Sequence, residues 1–91
     1  MERKNKNPSG YWSHQGEYFV AITENAKTSH LPVGAKLLEG RVVSVKNGRI
    51  LAGPGLIQFY AEGKPFHWDH KHIDEIRDCL GNLLWQNNDR G

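Results

Sequence analysis

Three histidines stand close together near the end of the chain, in the pattern His67-x-x-His70-x-His72. Three imidazoles around one Zn²⁺, with a fourth position left for water, would form a hydrolytic metal centre. A helix beginning at Asp69 would place His70 and His72 about 200° apart around its axis, where they cannot face one ion. We therefore predict neither a metal site nor a cofactor, and we interpret the histidines as exposed or hydrogen-bonded side chains at a strand-to-helix junction.

The residues that follow resemble a known family. Asp69-His70 is followed by Asn82-Leu83-Leu84-Trp85 and then by Asn87-Asn88, an order similar to the end of an HNH homing endonuclease. The resemblance implies a metal-dependent nuclease in which His70 activates water, Asn82 orients it and Asp69 holds a divalent cation. This HNH-like nuclease is one alternative for the function.

Other residue types with chemical potential have simpler interpretations. Gly53-Pro54-Gly55 lacks the Lys-Ser/Thr pair and the following helix of a phosphate-binding loop, and is interpreted as a sheet corner. Cys79 lies among Ile76, Leu80 and Leu83, which favours a small buried side chain over a nucleophile. No serine lies in a nucleophile pattern. The sequence thus predicts no catalytic residues and favours a protein that is not an enzyme.

Length and composition limit the remaining classes. Ninety-one residues with 37% hydrophobic side chains can form one core. One cysteine excludes an internal disulfide, and no apolar run is long enough to span a membrane. These features predict a cytoplasmic protein without membrane contact, with a flexible basic arm at residues 1–10 and a single domain at residues 11–91.

The strand predictions rest on β-branched residues, aromatic residues and turn signals. Residues 17–24 predict a central strand, with Tyr18, Val20 and Ile22 on one face and Tyr11-Trp12 as a potential hairpin partner. Residues 37–46 and 49–52 flank Asn47-Gly48, which predicts a hairpin with a type I′ turn. Further strands are predicted at residues 56–61 and 66–68, and residues 25–35 form a surface loop of unassigned role.

From Asp69 onward the apolar spacing changes. Ile73, Ile76, Leu80 and Leu83 recur at helical intervals, and Asp69 is a good N-cap, so a C-terminal α-helix is predicted. The fold prediction is an α+β fold, a four- to five-stranded antiparallel β-meander packed by one C-terminal α-helix. A small SH3-like barrel with an added helix is the alternative.

Aromatic and basic residues supply the candidate binding site. Packing in the core is predicted for Phe19, Phe59, Phe66 and Trp85. A second group of aromatic and basic residues is predicted to share an open face: Tyr11, Trp12, Tyr60, Lys46, Arg49 and Lys64. Basic side chains interleaved with exposed aromatics hold single-stranded nucleic acid by phosphate contact and base stacking.

The leading functional hypothesis is a non-enzymatic small module that docks on a larger macromolecule, with a host or partner protein as the partner. Its size and charge are typical of accessory or inhibitor proteins of phages and mobile elements. The first alternative is a nucleic-acid or nucleotide binder, and the second is the HNH-like nuclease. Unpaired edge strands also favour a homodimer.

Overall fold

The computed structural model describes residues 10–87, in which 54% of residues lie in strands and 4% in helical structure. The predicted arm, apart from Gly10, and residues 88–91 lie outside the described part. The elements in chain order are β1 (Trp12–Gln15), β2 (Tyr18–Ile22), β3 (Ala35–Leu38), β4 (Val42–Val45), β5 (Gly48–Gly53), β6 (Leu56–Ala61), β7 (Lys64–Phe66), a 3₁₀ turn (His70–His72), β8 (Ile73–Asp78) and β9 (Leu83–Gln86).

The nine strands form two antiparallel sheets. Sheet A has the order β1-β5-β6-β7, and sheet B has the order β3-β4-β2-β8-β9. The chain passes from sheet A to sheet B between β1 and β2, and returns between β4 and β5. Within residues 10–87 no helix has the length and apolar character needed to cross a membrane.

The core lies where the inward faces of both sheets meet. Tyr18 of β2 stacks on Phe59 of β6, with ring centroids 5.7 Å apart. Phe59 also contacts the rings of Phe66 and Trp68. Buried apolar side chains from both sheets form one cluster: Tyr18, Val20, Ile22, Ala26, Val43, Val45, Ile50, Ala52, Ile57, Phe59, Ala61, Trp68, Ile73, Ile76 and Trp85.

The β2 prediction is confirmed. β2 is the third of five strands in sheet B, and its alternate residues Tyr18, Val20 and Ile22 are buried. A short run of aromatic and β-branched residues, with large apolar side chains at alternate positions, predicts such a strand. The predicted pairing with Tyr11-Trp12 does not form, because β1 pairs with β5 instead.

The α+β prediction is wrong, because the described chain has no C-terminal α-helix and neither predicted helix-containing architecture forms. A β-bulge explains the misleading spacing. Val20 pairs with Ile76 and Ile22 pairs with Ile73, so two steps along β2 match three along β8. The extra residue lets Ile73 and Ile76 face the core together at a spacing that imitates a helix. The absence of the helix also leaves Cys79 exposed, contrary to the sequence interpretation.

The predicted hairpin at Asn47-Gly48 is also wrong. β4 pairs with β2 and β3 in sheet B, whereas β5 pairs with β1 and β6 in sheet A. Gly48 does not have positive φ, so the turn is not type I′. Glycine is instead required by packing, because a Cβ at Gly48 would lie 2.4 Å from Cε2 of Tyr18 and 2.7 Å from Cγ1 of Val45.

The tight turns of sheet A lie elsewhere. Pro54-Gly55 joins β5 to β6, with Gly55 at φ 75°, as a type II turn requires. Glu62-Gly63 joins β6 to β7, and both of its residues have positive φ. The two turns make β5, β6 and β7 a regular meander, which gives sheet A an ordered outer face.

Candidate binding surface

The outer face of sheet A carries a cluster that we call the tyrosine–leucine face, formed by Tyr11, Arg49, Leu51, Leu56 and Tyr60. The register defines it: Leu51 pairs with Gln58, Arg49 pairs with Tyr60, and the residues between them on β5 and β6 are buried in the core. Alternate residues of a strand point to opposite faces, so the cluster points away from the core.

Tyr11 is the most exposed member, with 86% of its surface accessible. Its ring lies against Gly53, where a Cβ would come within 2.8 Å of the ring carbon Cε1. Gly53 pairs with Leu56, whose side chain is 56% exposed. The missing side chain at Gly53 therefore lets Tyr11 lie close to the sheet at the end where Leu56 is displayed.

The opposite end of the face is basic. The guanidinium carbon of Arg49 lies 6.0 Å from the ring centroid of Tyr60, within the range of a cation–π contact. Lys46 precedes β5 and Lys64 begins β7, and both are exposed. Since Gly48, Ala61 and Lys64 lie in one row across the sheet, these lysines share the end of sheet A that carries Arg49.

A buried hydrogen bond supports this end from below. The Tyr18 hydroxyl donates to the carbonyl oxygen of Tyr60 across 3.1 Å, which ties sheet B to the strand that displays Tyr60. Burial raises the pKa of Tyr18 well above its ordinary value, opposed in part by this hydrogen bond. The hydroxyl therefore stays protonated and continues to donate.

The face has a distinctive electrostatic character. Its outward strand positions are occupied by Ser13, Gln15, Arg49, Leu51, Gly53, Leu56, Gln58, Tyr60 and Pro65. None of these described positions holds an acidic residue. Glu62 is exposed in the β6–β7 turn at the end that carries Arg49, so carboxylates are absent from the strand positions and not from the adjoining turn. Arg49 can pair with an anionic group on a partner.

The structure places the sequence-predicted binding residues in different locations. Tyr11, Arg49 and Tyr60 belong to the tyrosine–leucine face. Lys64 lies at the same end of sheet A as Arg49 but pairs with the buried Ala61, on the opposite side from Tyr60, and Lys46 directly follows β4 of sheet B. Trp12 points inward instead, because it pairs with Ala52 and packs against the core.

Leu51 and Leu56 also lie on this face but were not selected from the sequence as candidate site residues. The alternation of Leu51 with Ile50 and Ala52, both buried, is the signal that could have placed it outside. The outward direction of Leu51 also depends on the pairing of β5 with β1 and β6, which the predicted hairpin did not give.

Three of the histidines line cavities around Trp68, and the larger cavity is also lined by Leu56 of the tyrosine–leucine face. His67 and Asp69 line two of the cavities beside Trp68, with volumes of about 490 and 280 Å³. His70 and Lys71 line the larger one, and His72 lines the smaller one. In the described part of the chain, no three His, Cys, Asp or Glu side chains form a group that could hold a metal ion.

The residues implied by the nuclease resemblance are not brought together. His70 precedes β8, whereas Asn82 follows it in the β8–β9 turn, so the two are separated by the length of the strand. β8 has six residues, which at about 3.3 Å per residue span roughly 20 Å. The side chain of Asn82 donates to Asp78 across 3.1 Å, which assigns it to the turn rather than to a water near His70.

Together the two antiparallel sheets define a small all-β domain. No protein-family model matches the chain, and neither a curated protein nor a solved structure matches it.

Proposed function

We propose that this protein is a non-enzymatic binding module that docks on a larger protein through the tyrosine–leucine face. One observation carries the proposal: Tyr11, Leu51 and Leu56 are 86%, 37% and 56% exposed on a regular sheet face whose outward positions include Arg49 and no carboxylate. Exposed apolar side chains grouped on one face are a feature of interaction sites.

The composition of the face favours a protein partner. Tyr and Arg are enriched in the centres of protein interfaces, whereas Lys, Asp and Glu are depleted there. Tyr11, Leu56 and Arg49 offer two apolar anchors and one charged hydrogen-bond donor. The expected partner surface has an apolar depression for the anchors and a carboxylate for the guanidinium.

The proposal extends to the setting of the protein. A small module that covers part of a larger protein would suit an accessory or inhibitor role, such as those encoded by phages and mobile elements. The exposed free thiol of Cys79 supports action in a reducing compartment, the cytoplasm.

The experiment compares the wild type with a Tyr11→Ser/Leu56→Ser variant. Tagged protein captures binding proteins from cells of its natural host, and the partner retained by the wild type is then purified and titrated. We expect the double variant to lower the affinity at least about tenfold, because both anchors are lost. Circular dichroism checks that the variant remains folded.

Leu80→Ser is the matched control. Leu80 is 82% exposed, but it lies in the turn between β8 and β9, away from sheet A. Equal losses in the double variant and in Leu80→Ser would contradict the proposal, as would full binding by the double variant. Either result would mean that the partner does not use the tyrosine–leucine face.

A second candidate function is binding of single-stranded nucleic acid. The contact of Arg49 with the Tyr60 ring, beside Lys46 and Lys64, favours it because stacking and phosphate contacts could occur at one end of the face. A fluorescent oligonucleotide would then bind with an affinity that falls as salt rises from about 50 to 200 mM. Salt-independent binding, or binding unchanged in Arg49→Gln, would count against this candidate.

A further inference from the structure

The edges of the two sheets differ in how open they are to pairing. β7 has only three residues and contains Pro65, which lacks an N–H. The pairing of β9 with β8 is irregular, and β1 carries the polar residues Ser13, His14 and Gln15. Irregularity, proline and polar side chains all discourage further pairing at an edge.

β3 is the exception among the described edges. It pairs with β4 through four consecutive residue pairs without a register shift. Leu37 and Leu38 are 38% and 40% exposed, and Val33 just before the strand is 75% exposed. A regular edge with exposed aliphatic side chains is a template for another strand.

Hydrogen bonds show which backbone groups of β3 point outward. The amide of Lys46 donates to Gly34 O across 3.2 Å, so the pair formed by residues 34 and 46 is hydrogen-bonded. Antiparallel pairs alternate in type. Residues 36 and 38 therefore bond to β4, whereas the N–H and C=O of Leu37 point away from the sheet.

A bond on the other side of β4 gives the same result. The amide of Ile22 donates to Arg41 O across 2.9 Å, and the same alternation then directs Val43 and Val45 toward β2. Ser44, between them, is directed toward β3 and bonds to Lys36. Two independent bonds thus agree that the groups of Leu37 face solvent.

We propose that two copies of this chain associate by antiparallel pairing of their β3 strands, with Leu37 of each copy opposite Leu37 of the other. In this register each Leu37 amide donates to the Leu37 carbonyl of the second copy. A two-fold axis perpendicular to the sheet satisfies both bonds and joins the two five-stranded sheets into one continuous sheet.

The side chains are compatible with this register. The two Leu37 side chains meet on the inward face and reduce each other's exposure to water. On the outward face Lys36 lies opposite Leu38 of the second copy, where its aliphatic stem can cover the leucine while its ammonium stays in water. No acidic or basic pair of like charge lies directly opposite across the axis.

A second copy can occupy this edge because the register is self-complementary: the same residue supplies the donor and the acceptor on both sides, and each exposed Leu37 meets the other. The edge is short, with four residues in β3, and pairing through so short a strand is expected to bury less than the roughly 1,200 Å² typical of stable complexes. We therefore expect a weak, concentration-dependent dimer.

Sedimentation equilibrium of the full chain tests the association. The apparent mass should rise from 10.4 kDa toward twice that value as concentration increases. Leu37→Lys should shift the midpoint to at least about tenfold higher concentration, because it places two charges on the axis. Leu80→Lys is the matched control, since Leu80 is 82% exposed in the β8–β9 turn at the opposite edge of sheet B from β3, and it should leave the midpoint unchanged.

Cross-linking tests the register. In a Cys79→Ser background, Lys36→Cys and Leu38→Cys variants are mixed and oxidised with copper phenanthroline. Residues 36 and 38 of opposite copies form a non-hydrogen-bonded pair with close Cβ atoms, so the mixed disulfide should form several-fold faster than either variant cross-links with itself.

Amide exchange of the wild-type protein supplies a readout that needs no substitution. The Leu37 amide should become more protected as concentration rises, while the Lys36 amide, already bonded to β4, should not change. A monomer mass at all concentrations, equal effects of Leu37→Lys and Leu80→Lys, or association without protection of Leu37 would each overturn the proposal.

Discussion

The tyrosine–leucine face and the β8–β9 hairpin both carry polar side chains, but these side chains have different contacts in the two regions. In the hairpin, Asp78 accepts hydrogen bonds from the amides of Leu80 and Asn82, each across 2.9 Å. Arg77 forms an ion pair with Glu75. The hydrogen bond to Glu75 and the negative charge of the Glu75 carboxylate raise the pKa of Arg77. These side chains hold the hairpin in shape.

On the tyrosine–leucine face, the side chains extend from strands that are already fixed by the core beneath them. Tyr11 and Leu56 are exposed. Ile57 and Phe59, which follow Leu56 on β6, are almost completely buried. The charged side chains of the β8–β9 hairpin in sheet B therefore stabilise local structure. The outer face of sheet A presents side chains whose removal should leave the fold intact.

The largest loss of stability is expected for Trp85→Ala, which tests the packing of the β8–β9 hairpin. Trp85 lies on β9, is 2% exposed and pairs with Ile76 in the core. Replacement of a buried tryptophan by alanine leaves a cavity, and we expect the free energy of unfolding to fall by about 3–5 kcal/mol. Urea denaturation measures the loss, and a change below about 1 kcal/mol would contradict the packing of β9 described above.

The next largest loss of stability is expected at Gly48, where the chain passes from sheet B to sheet A. Gly48→Ala should lower the free energy of unfolding by about 1–3 kcal/mol, because the added methyl group would collide with Tyr18 and Val45. Asn47→Ala is the control. In a type I′ hairpin, alanine at either position would lower the free energy of unfolding. In this structure the loss should be much larger for Gly48→Ala than for Asn47→Ala. Equal losses would contradict the passage of the chain from sheet B to sheet A at this point.

Two of the strand predictions show where sequence reasoning succeeds. Strands were predicted at residues 17–24 and 56–61 from their β-branched and aromatic residues and from neighbouring turn residues, and the structure has strands at Tyr18–Ile22 and Leu56–Ala61. The C-terminal strands were not predicted, because the bulge between β2 and β8 gives Ile73 and Ile76 helical spacing. A bulge depends on the partner strand, so local periodicity does not reveal it.

The candidate site was predicted in part for the same reason. Tyr11, Arg49 and Tyr60 could be chosen by residue type, and β5–β6 pairing places the latter two side by side. Trp12 faces the core and Leu51 faces outward, and these facts depend on the pairing of β1 with β5 across a long stretch of sequence. Residue type thus indicated several candidates, whereas the sheet register determined which share a face.

A smaller effect is expected for the charged hairpin. Desolvation acts to raise the pKa of Asp78, but hydrogen bonds from Asn82 and Leu80 outweigh it and hold this pKa below its ordinary value. Asp78→Ala should lower Tm by less than Trp85→Ala or Gly48→Ala, since it removes a cap from an exposed turn. Asp69→Ala, at a residue whose side chain makes no cap bond, is the control.

The sign of the pH effect follows from the lowered pKa. The carboxylate stabilises the folded state above the pKa that Asp78 has in the unfolded chain, and this contribution is lost as pH falls through the lower folded-state pKa. The difference in Tm between wild type and Asp78→Ala should therefore shrink in acid. A difference that grew as pH fell would contradict the role assigned to Asp78.

The smallest effect on stability is expected on the tyrosine–leucine face. Tyr11→Ser/Leu56→Ser should change the free energy of unfolding by no more than about 0.5 kcal/mol per position, because both side chains are mostly in water. The same double variant should show the large loss of partner affinity proposed above. If it instead unfolded the protein, the face would belong to the structure as the β8–β9 hairpin does, and the distinction between the two regions would fail. A stable, folded variant that no longer binds would place the function of this chain on sheet A.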